Sequence, residues 1–163
     1  MGAAIAGNGV KLARDIAAMR VIEADAAQSL RQATLIMYRH QVRCLVVTDS
    51  QDGRRVPVGM LTAGDLSAAT RLRGCDADTT TVAGAMSQPL VVCREDHTFA
   101  ELIIIMRNSG RCRLPVVDAA GTLVGIVSAD DVVAAMAESM ADLSRALGFD
   151  PPPAAPGPEA PAV

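Results

Sequence analysis

Two stretches of the chain share one pattern: residues 59–65 read Gly-Met-Leu-Thr-Ala-Gly-Asp, and residues 125–131 read Gly-Ile-Val-Ser-Ala-Asp-Asp. Each stretch has a glycine, two apolar residues, a hydroxyl residue, two variable residues and an aspartate. Apolar residues of this kind favour the end of a strand, and the hydroxyl and the carboxylate favour the first turn of a helix. The pattern therefore predicts two strand-to-helix junctions of the same type.

The regions before and after these junctions also match each other. Residues 30–49 align with residues 99–118 at an offset of 69, with five of 20 positions identical. Residues 59–70 align with residues 125–136 at an offset of 66, with five of 12 positions identical. A longer loop in the first copy explains the change of offset, because loops tolerate insertions. We therefore expect a duplicated unit.

Each copy has the sequence pattern of a β-α-β-β-α unit, which predicts the α/β (α+β) fold class. Ser29 and Thr98 are expected to cap the first helix of their copies, since a hydroxyl can accept from the free amides of a first turn. One copy alone would bury little surface, so we expect the two copies to share one core. The predicted opening strands are 20–23 and 90–93, the first helices 29–40 and 98–109, the next strands 44–48, 58–61, 114–117 and 123–127, and the last helices 64–72 and 130–141.

The chain divides into five expected segments. Six prolines and an absence of apolar periodicity after residue 150 predict a disordered, Pro/Ala-rich tail. The segments are a flexible N-terminus at 1–9, the first repeat at 10–73, a linker at 74–81, the second repeat at 82–147 and the tail at 148–163.

Composition argues against several classes of function. The net charge is −3 with both signs spread along the chain, so no basic face for nucleic acid is predicted. The longest apolar stretch in the body of the chain, 102–106, is too short to span a bilayer. The N-terminus lacks the pattern of a secretory signal, and we expect a cytoplasmic location.

No catalytic or metal site is predicted. The four cysteines include no C-x-x-C pair, so buried thiols are favoured over a metal site or a disulfide. His40 and His97 are the two histidines, and both fall at ordinary surface positions next to predicted helices. Because no nucleophile–base pair or phosphate-binding loop is recognisable, we expect that the protein is not an enzyme and has no covalent cofactor.

The polar residues of the two junctions have two interpretations. The free amides of a first helical turn attract an anion, the hydroxyls of Thr62 and Ser128 can donate to a phosphate oxygen, and Asp65 and Asp131 can accept from a ribose diol. The same side chains are also ordinary helix caps. The duplication, with a matching β-α-β before each junction, favours the ligand-binding interpretation.

The repeated motif resembles that of the CBS domain. The strand 113–118, Arg-Leu-Pro-Val-Val-Asp, and the opening stretch 86–92, Met-Ser-Gln-Pro-Leu-Val-Val, also resemble this family, and the resemblance covers roughly residues 10–141. It implies two CBS repeats packed as a pseudo-twofold pair, a Bateman module, with two clefts between them. It also implies a regulatory sensor of AMP, ADP, ATP, S-adenosylmethionine or NAD, often a homodimer, that relays ligand occupancy to an unknown effector protein.

The resemblance also implies roles for individual residues. Asp65 and Asp131 would hold a ribose, and Thr62 and Ser128 would contact phosphate or ribose. Arg113 falls where some relatives place a phosphate-binding base, although a solvated arginine at a strand end is an equal alternative. The residues implied to line the adenine pocket are Val21, Ile22, Leu90, Val91 and Leu114.

Two departures from the family pattern affect the ligand. Asp130 would repel a phosphate, which favours a less anionic ligand such as S-adenosylmethionine or adenosine. Cys44 stands where the second copy has Arg113, so the two clefts are not expected to be equivalent.

A ligand-free dimerisation or interaction module is the alternative function. The apolar runs 102–106 and 132–136 are expected to lie partly at a dimer interface, with a buried core stripe as the alternative.

Overall fold

A computed structural model describes residues 11–148 of the chain. The expected flexible N-terminus and, apart from Gly148, the expected disordered tail lie outside these residues. The first repeat contains α1 (Ala13–Ile16), β1 (Glu23–Asp25), α2 (Leu30–His40), β2 (Cys44–Gln51), β3 (Arg54–Thr62) and α3 (Ala63–Ser67), which continues as a π-helix, Ala68–Leu72. The second repeat contains a 3₁₀ turn (Val82–Gly84), β4 (Cys93–Arg94), α4 (Phe99–Ser109), β5 (Arg113–Val117), β6 (Leu123–Ser128) and α5 (Ala129–Ala146).

Each repeat forms its own three-stranded sheet, and the two sheets have the same topology. In the first, β1 pairs in parallel with β2, and β2 pairs antiparallel with β3. In the second, β4 pairs in parallel with β5, and β5 pairs antiparallel with β6. The predicted α+β class and the two β-α-β-β-α repeats are therefore confirmed.

The predicted caps of the first helices are present. The Ser29 hydroxyl accepts from the backbone N–H of Gln32, and the Thr98 hydroxyl accepts from that of Glu101, both at 3.3 Å. In return, the backbone N–H of Ser29 donates to the side-chain oxygen of Gln32 at 2.9 Å, and that of Thr98 donates to a carboxylate oxygen of Glu101 at 2.7 Å. These capping boxes explain why both helices begin where the sequence predicts.

The opening strands begin later than predicted. They start at Glu23 and Cys93, whereas the ranges predicted from the sequence, 20–23 and 90–93, end at these residues. The apolar residues just before each strand are partly buried without pairing in the sheet. Apolar character therefore located these residues near the core but did not identify their backbone pairing.

The expectation of one shared core is wrong, because the buried residues form two clusters. Each cluster belongs to one repeat but includes residues from the segment that leads into the other repeat. Ala13 packs in the cluster of the second repeat, and Val82 and Ala85 pack in the cluster of the first. The two repeats are held together by this exchange of leading segments.

Backbone hydrogen bonds secure the exchange on both sides. The N–H of Ala18 donates to the carbonyl of Ile126 at 2.9 Å, and the N–H of Ser87 donates to the carbonyl of Met60 at 2.8 Å. Ala18 and Ser87 are 69 residues apart, which is the offset of the repeat. The two repeats therefore pack as a pseudo-twofold pair.

The motif glycines are explained by this close approach. A Cβ at Gly125 would lie 3.2 Å from both the Cβ of Ala17 and the carbonyl oxygen of Ala18. A Cβ at Gly59 would collide with the side chain of Met86. Each glycine therefore leaves room for the leading segment of the other repeat.

Within residues 11–148 the structure contains no helix with the length and apolar character needed to cross a membrane.

Candidate functional site

Two clefts lie between the repeats. The first, here called the Asp131 cleft, has a volume of about 400 Å³. The second, here called the Thr62 cleft, has a volume of about 220 Å³. Residues lining the Asp131 cleft include Arg20, Val21, Ile22, Arg43, Cys44, Arg113, Ser128 and Asp131. Residues lining the Thr62 cleft include Cys44, Thr62, Ser87, Pro89, Leu90, Val91, Arg111, Cys112 and Arg113.

Each cleft combines the opening segment of one repeat with the junction motif of the other. Val21 and Ile22 meet Ser128 and Asp131 in one cleft. Leu90 and Val91 meet Thr62 in the other, and Arg113 lines both. The structure thus brings together, across the interface between the repeats, most of the residues that the sequence singled out.

Two of the expected pocket residues lie elsewhere. Leu114 is completely buried in the core of the second repeat and lines neither cleft. The reason is strand alternation: Arg113 begins β5 facing the clefts, so its neighbour faces the opposite side of the sheet. Asp65 is partly buried beside Thr62 but is not among the described residues that line the Thr62 cleft.

The junction motif of the second repeat forms a capping box. The backbone N–H and the hydroxyl of Ser128 donate to Oδ2 of Asp131, at 2.7 and 2.6 Å. The backbone N–H of Asp131 donates to Oγ of Ser128 at 3.2 Å. This geometry starts α5 and holds the Asp131 carboxylate at the cleft wall.

The first repeat repeats this arrangement. The backbone N–H and the hydroxyl of Thr62 donate to Oδ2 of Asp65, at 2.8 and 2.7 Å. The backbone N–H of Asp65 donates to Oγ1 of Thr62 at 3.1 Å. Both motifs therefore have the structural role that the sequence left open, and one carboxylate oxygen of each aspartate is used in it.

Sequence reasoning missed three arginines that line the clefts. Arg20 and Arg43 line the Asp131 cleft, and Arg111 lines the Thr62 cleft. Their proximity to Val21, Cys44 and Arg113 in the chain was a usable signal, because segments next to a predicted pocket strand share its edge. Asp130, whose charge was expected to repel phosphate, is exposed and lines neither cleft within the described residues.

The cysteines differ in environment. Burial raises the pKa of the Cys93 thiol to about 12, and burial also raises the pKa of Cys44 against the opposing effect of the Arg113 guanidinium. Cys112 is exposed, and all four thiols are free. Among residues 11–148 no group of three or more histidine, cysteine or acidic side chains is arranged to hold a metal ion.

Comparison with known proteins identifies relatives of this architecture. The family model described as CBS domain matches twice, over residues 13–71 and 82–138. The CBS-domain containing protein ATU1752 from Agrobacterium tumefaciens is 27% identical with a TM-score of 0.66, over 83% of this chain and 99% of that one. The CBS domain pair of protein MJ0100, in complex with 5′-methylthioadenosine and S-adenosyl-L-methionine, is 25% identical with a TM-score of 0.65, over 77% of this chain and 99% of that one.

Curated relatives include an uncharacterized protein from Methanopyrus kandleri. It is 29% identical over 119 residues, which is 73% of this chain and 59% of that protein. A second curated relative, from Acidianus ambivalens, is matched over 62% of its length. The chain thus spans about three-fifths of the length of these curated relatives.

Proposed function

The chain belongs to the CBS domain family, and from this membership we propose that it is a regulatory module that senses an adenine nucleotide or adenosyl ligand in the clefts between its repeats. The ligands considered are AMP, ADP, ATP, S-adenosylmethionine and NAD. The module acts by binding rather than by catalysis. Its effector protein and its cytoplasmic location stay predictions from the sequence.

The composition of the Asp131 cleft carries this proposal. Val21 and Ile22 supply an apolar wall for a base, and the carboxylate of Asp131 supplies an acceptor for a ribose hydroxyl. Ser128 places that carboxylate by its two hydrogen bonds to Oδ2. The cavity of about 400 Å³ lies within the range of about 300–1,000 Å³ found for small-molecule sites.

The complex of protein MJ0100 supports the ligand class. That CBS domain pair is solved with 5′-methylthioadenosine and S-adenosyl-L-methionine, both of which contain an adenosyl group. A ligand of this class would regulate by favouring one arrangement of the module, and only to the extent that it binds that arrangement more tightly.

The test is calorimetric titration of the full chain with AMP, ADP, ATP, S-adenosylmethionine and NAD, each with and without magnesium. We expect micromolar binding of at least one ligand. The control is the Asp131→Ala variant, shown to be folded by its melting curve, which should lose that binding. An absence of heat with every ligand, from folded wild-type protein, would contradict the proposal.

One observation favours the alternative of a ligand-free interaction module. The hydroxyls of Thr62 and Ser128 and one oxygen of each motif aspartate are already used in capping boxes. Capping alone would account for these four residues without any ligand. The titration separates the two functions, because an interaction module would show no heat with any adenosyl compound.

A second copy of the chain is the proposed partner, and α5 is the proposed contact. Its exposed apolar residues recur at intervals of three and four, as in the seam of a coiled coil. The flanking positions 137, 139, 144 and 146 hold only alanine and serine, so two such helices could approach closely without opposing charges. We call this face the α5 seam; it consists of Val133 (64% exposed), Met136 (37%), Met140 (69%), Leu143 (60%) and Leu147 (62%).

The two apolar runs that were expected at a dimer interface, 102–106 and 132–136, are each partly buried in the core and partly exposed. Leu102 and Val132 are buried in the core, whereas Ile104 and Val133 are exposed. The core stripe and the exposed face are therefore adjacent sides of the same helices. A symmetric dimer would place the same patch of both copies in contact.

A further inference from the structure

The two clefts differ in one hydroxyl group beside the motif aspartate. Ser87 and Ala18 are equivalent residues, 69 positions apart, and both make a backbone hydrogen bond to the β-strand that ends in the motif. The hydroxyl of Ser87 donates to Oδ1 of Asp65 at 2.9 Å. Alanine at position 18 has no hydroxyl to donate to Asp131.

Among the described residues, therefore, only one of the two motif aspartates keeps a carboxylate oxygen that accepts no hydrogen bond. In the first repeat, Oδ1 of Asp65 is bonded to Ser87 and Oδ2 is bonded to Thr62. In the second repeat, Oδ2 of Asp131 is bonded to Ser128, and Oδ1 accepts no hydrogen bond from the residues that the structure describes. Asp131 also lines its cleft, whereas Asp65 is absent from the described lining of the other.

The two clefts also differ in the arginines that line them. Arg20, Arg43 and Arg113 line the Asp131 cleft, and none of them forms an ion pair within residues 11–148. At the offset of 69, the equivalents of Arg20 and Arg43 in the Thr62 cleft are Pro89 and Cys112. Guanidinium groups bind phosphate oxygens through two parallel hydrogen bonds. Three guanidiniums and one carboxylate give the described lining of the Asp131 cleft a net charge of +2, which favours an anion. Arg111 and Arg113 give the described lining of the Thr62 cleft the same net charge, so the hydrogen bonds and the volumes distinguish the two clefts.

The volumes agree with the hydrogen bonds. The Asp131 cleft, at about 400 Å³, falls within the size range of small-molecule sites, which begins at about 300 Å³. The Thr62 cleft, at about 220 Å³, falls below it.

Building on the proposed sensing function, we infer that the chain binds one anionic adenine nucleotide, in the Asp131 cleft. Oδ1 of Asp131 accepts from the ribose, and Arg20 and Arg43 bind the phosphates. The Ser87 hydroxyl occupies Asp65 and withholds the Thr62 cleft from the same use. A cationic sulfonium such as S-adenosylmethionine meets the net positive charge of the Asp131 cleft and binds more weakly than ADP.

The experiment titrates the full chain with three probes that differ in charge: adenosine, ADP and S-adenosylmethionine. Wild-type protein should bind one ADP per chain, more tightly than S-adenosylmethionine. Ala18→Ser introduces the hydroxyl found in the first repeat, and should weaken both adenosine and ADP by about 10-fold or more, since a hydrogen bond to a charged group contributes about 1.5–3 kcal/mol. Arg43→Ala should weaken ADP by a similar factor and leave adenosine unchanged.

The matched control is Arg111→Ala, which removes an arginine that lines only the Thr62 cleft. It should leave ADP affinity within about two-fold of wild type, a change of less than about 0.5 kcal/mol. Two equivalent ADP sites per chain, or an equal loss in Arg111→Ala and Arg43→Ala, would overturn the inference. Tighter binding of S-adenosylmethionine than of ADP would overturn it and leave the sensing function standing. No binding of any of the three probes would overturn the inference, and an absence of heat with AMP, ATP and NAD as well would overturn the sensing function.

Discussion

Cys44 and Arg113 hold equivalent positions in the two repeats, 69 residues apart, and each of them lines both clefts. The pseudo-twofold relation therefore places a thiol opposite a guanidinium at the centre of the module. The Arg113 charge acts to lower the pKa of Cys44, but burial acts more strongly in the opposite direction. Because Cys44 lines both clefts, the reactivity of its thiol should report whether a ligand is bound.

Thiol labelling should identify the occupied cleft. Cys44 lines both clefts, whereas Cys112 lines only the Thr62 cleft. A nucleotide in the Asp131 cleft should therefore slow the reaction of Cys44 with N-ethylmaleimide and leave that of Cys112 unchanged. The measurement is mass spectrometry of peptides after timed labelling with and without ADP, with Cys75, which lines neither cleft, as the internal control. Protection of Cys112 would instead place the ligand in the Thr62 cleft.

The buried Cys93 thiol should make stability fall at alkaline pH. Its pKa is about 12 in the folded chain, and an unfolded thiol has the ordinary value of 9.0. Between these values the unfolded chain loses the proton and the folded chain keeps it, so unfolding becomes more favourable by up to about 1.4 kcal/mol per pH unit. Below pH 9 this contribution is fully present and constant.

Urea unfolding at pH 8 and at about pH 10.5 measures this effect. Cys93→Val removes the titrating group and should reduce the loss of stability between the two pH values. Cys112→Val, which changes an exposed thiol, should retain the wild-type loss. Equal pH dependence in wild type and Cys93→Val would contradict the assignment.

Two substitutions of Asp131 should separate capping from ligand binding. Asp131→Ala removes the carboxylate half of the capping box of α5, while Ser128 stays as the N-cap, and should destabilise the fold by about 0.5–1.5 kcal/mol, the usual net contribution of a hydrogen bond. Asp131→Glu keeps a carboxylate that can complete the box and should cost less, because glutamate is the usual third residue of such boxes. Both should lose nucleotide affinity, because alanine has no acceptor oxygen and the longer glutamate side chain displaces it.

Melting curves and calorimetry on the same preparations make the comparison. If Asp131→Glu bound nucleotide normally, and Asp131→Ala lost affinity only as far as it lost stability, the carboxylate would have a capping role alone.

Gly125→Ala should loosen the packing between the repeats. The added methyl would lie 3.2 Å from the Cβ of Ala17 and from the carbonyl oxygen of Ala18. Overpacking of this kind costs about 1–3 kcal/mol. Gly64→Ala is the matched control, because its Cβ would meet only the Thr62 hydroxyl, at 3.4 Å, on a short helix where alanine is favoured. Chemical denaturation of both variants tests the prediction, and equal stability would contradict it.

Met140→Glu should prevent dimerisation through the α5 seam. Met140 is 69% exposed at the centre of the seam, so a carboxylate there would be tolerated in the monomer but buried in the dimer. Leu72→Glu is the control, since Leu72 is 85% exposed and lies in the first repeat, outside the seam. Sedimentation velocity at micromolar concentration should show a dimer for wild type and Leu72→Glu and a monomer for Met140→Glu. A monomeric wild type would remove the dimer proposal.

Local features of the structure were accessible from the sequence because their causes are local. The hydroxyl at position 29 and the glutamine three residues later are close in the chain, so the capping box of α2 could be predicted without a fold. The same holds for the junction motifs at Thr62 and Ser128. The opening strands were misplaced by about three residues because apolar character does not distinguish a paired strand from an apolar cleft wall.

The candidate site was predicted in part. Val21, Ile22, Leu90 and Val91 line the clefts, but Leu114 is in the core, because the direction of a strand side chain depends on register. Arg20 and Arg43 were missed although each lies next to a residue that lines a cleft, because position in the chain does not give the direction of a side chain.

The sequence by itself determined the duplication, the order of elements and the helix starts, since these depend on periodicity and on side chains within one turn of each other. Only the tertiary structure decided that each repeat packs against the leading segment of the other. It also decided that Ser87 bonds to Asp65, while Asp131 faces three arginines. The residues brought together in this way are separated by 18 to 111 positions in the chain. Their arrangement exists only once both sheets are packed, because separation along the chain does not give distance in the folded state.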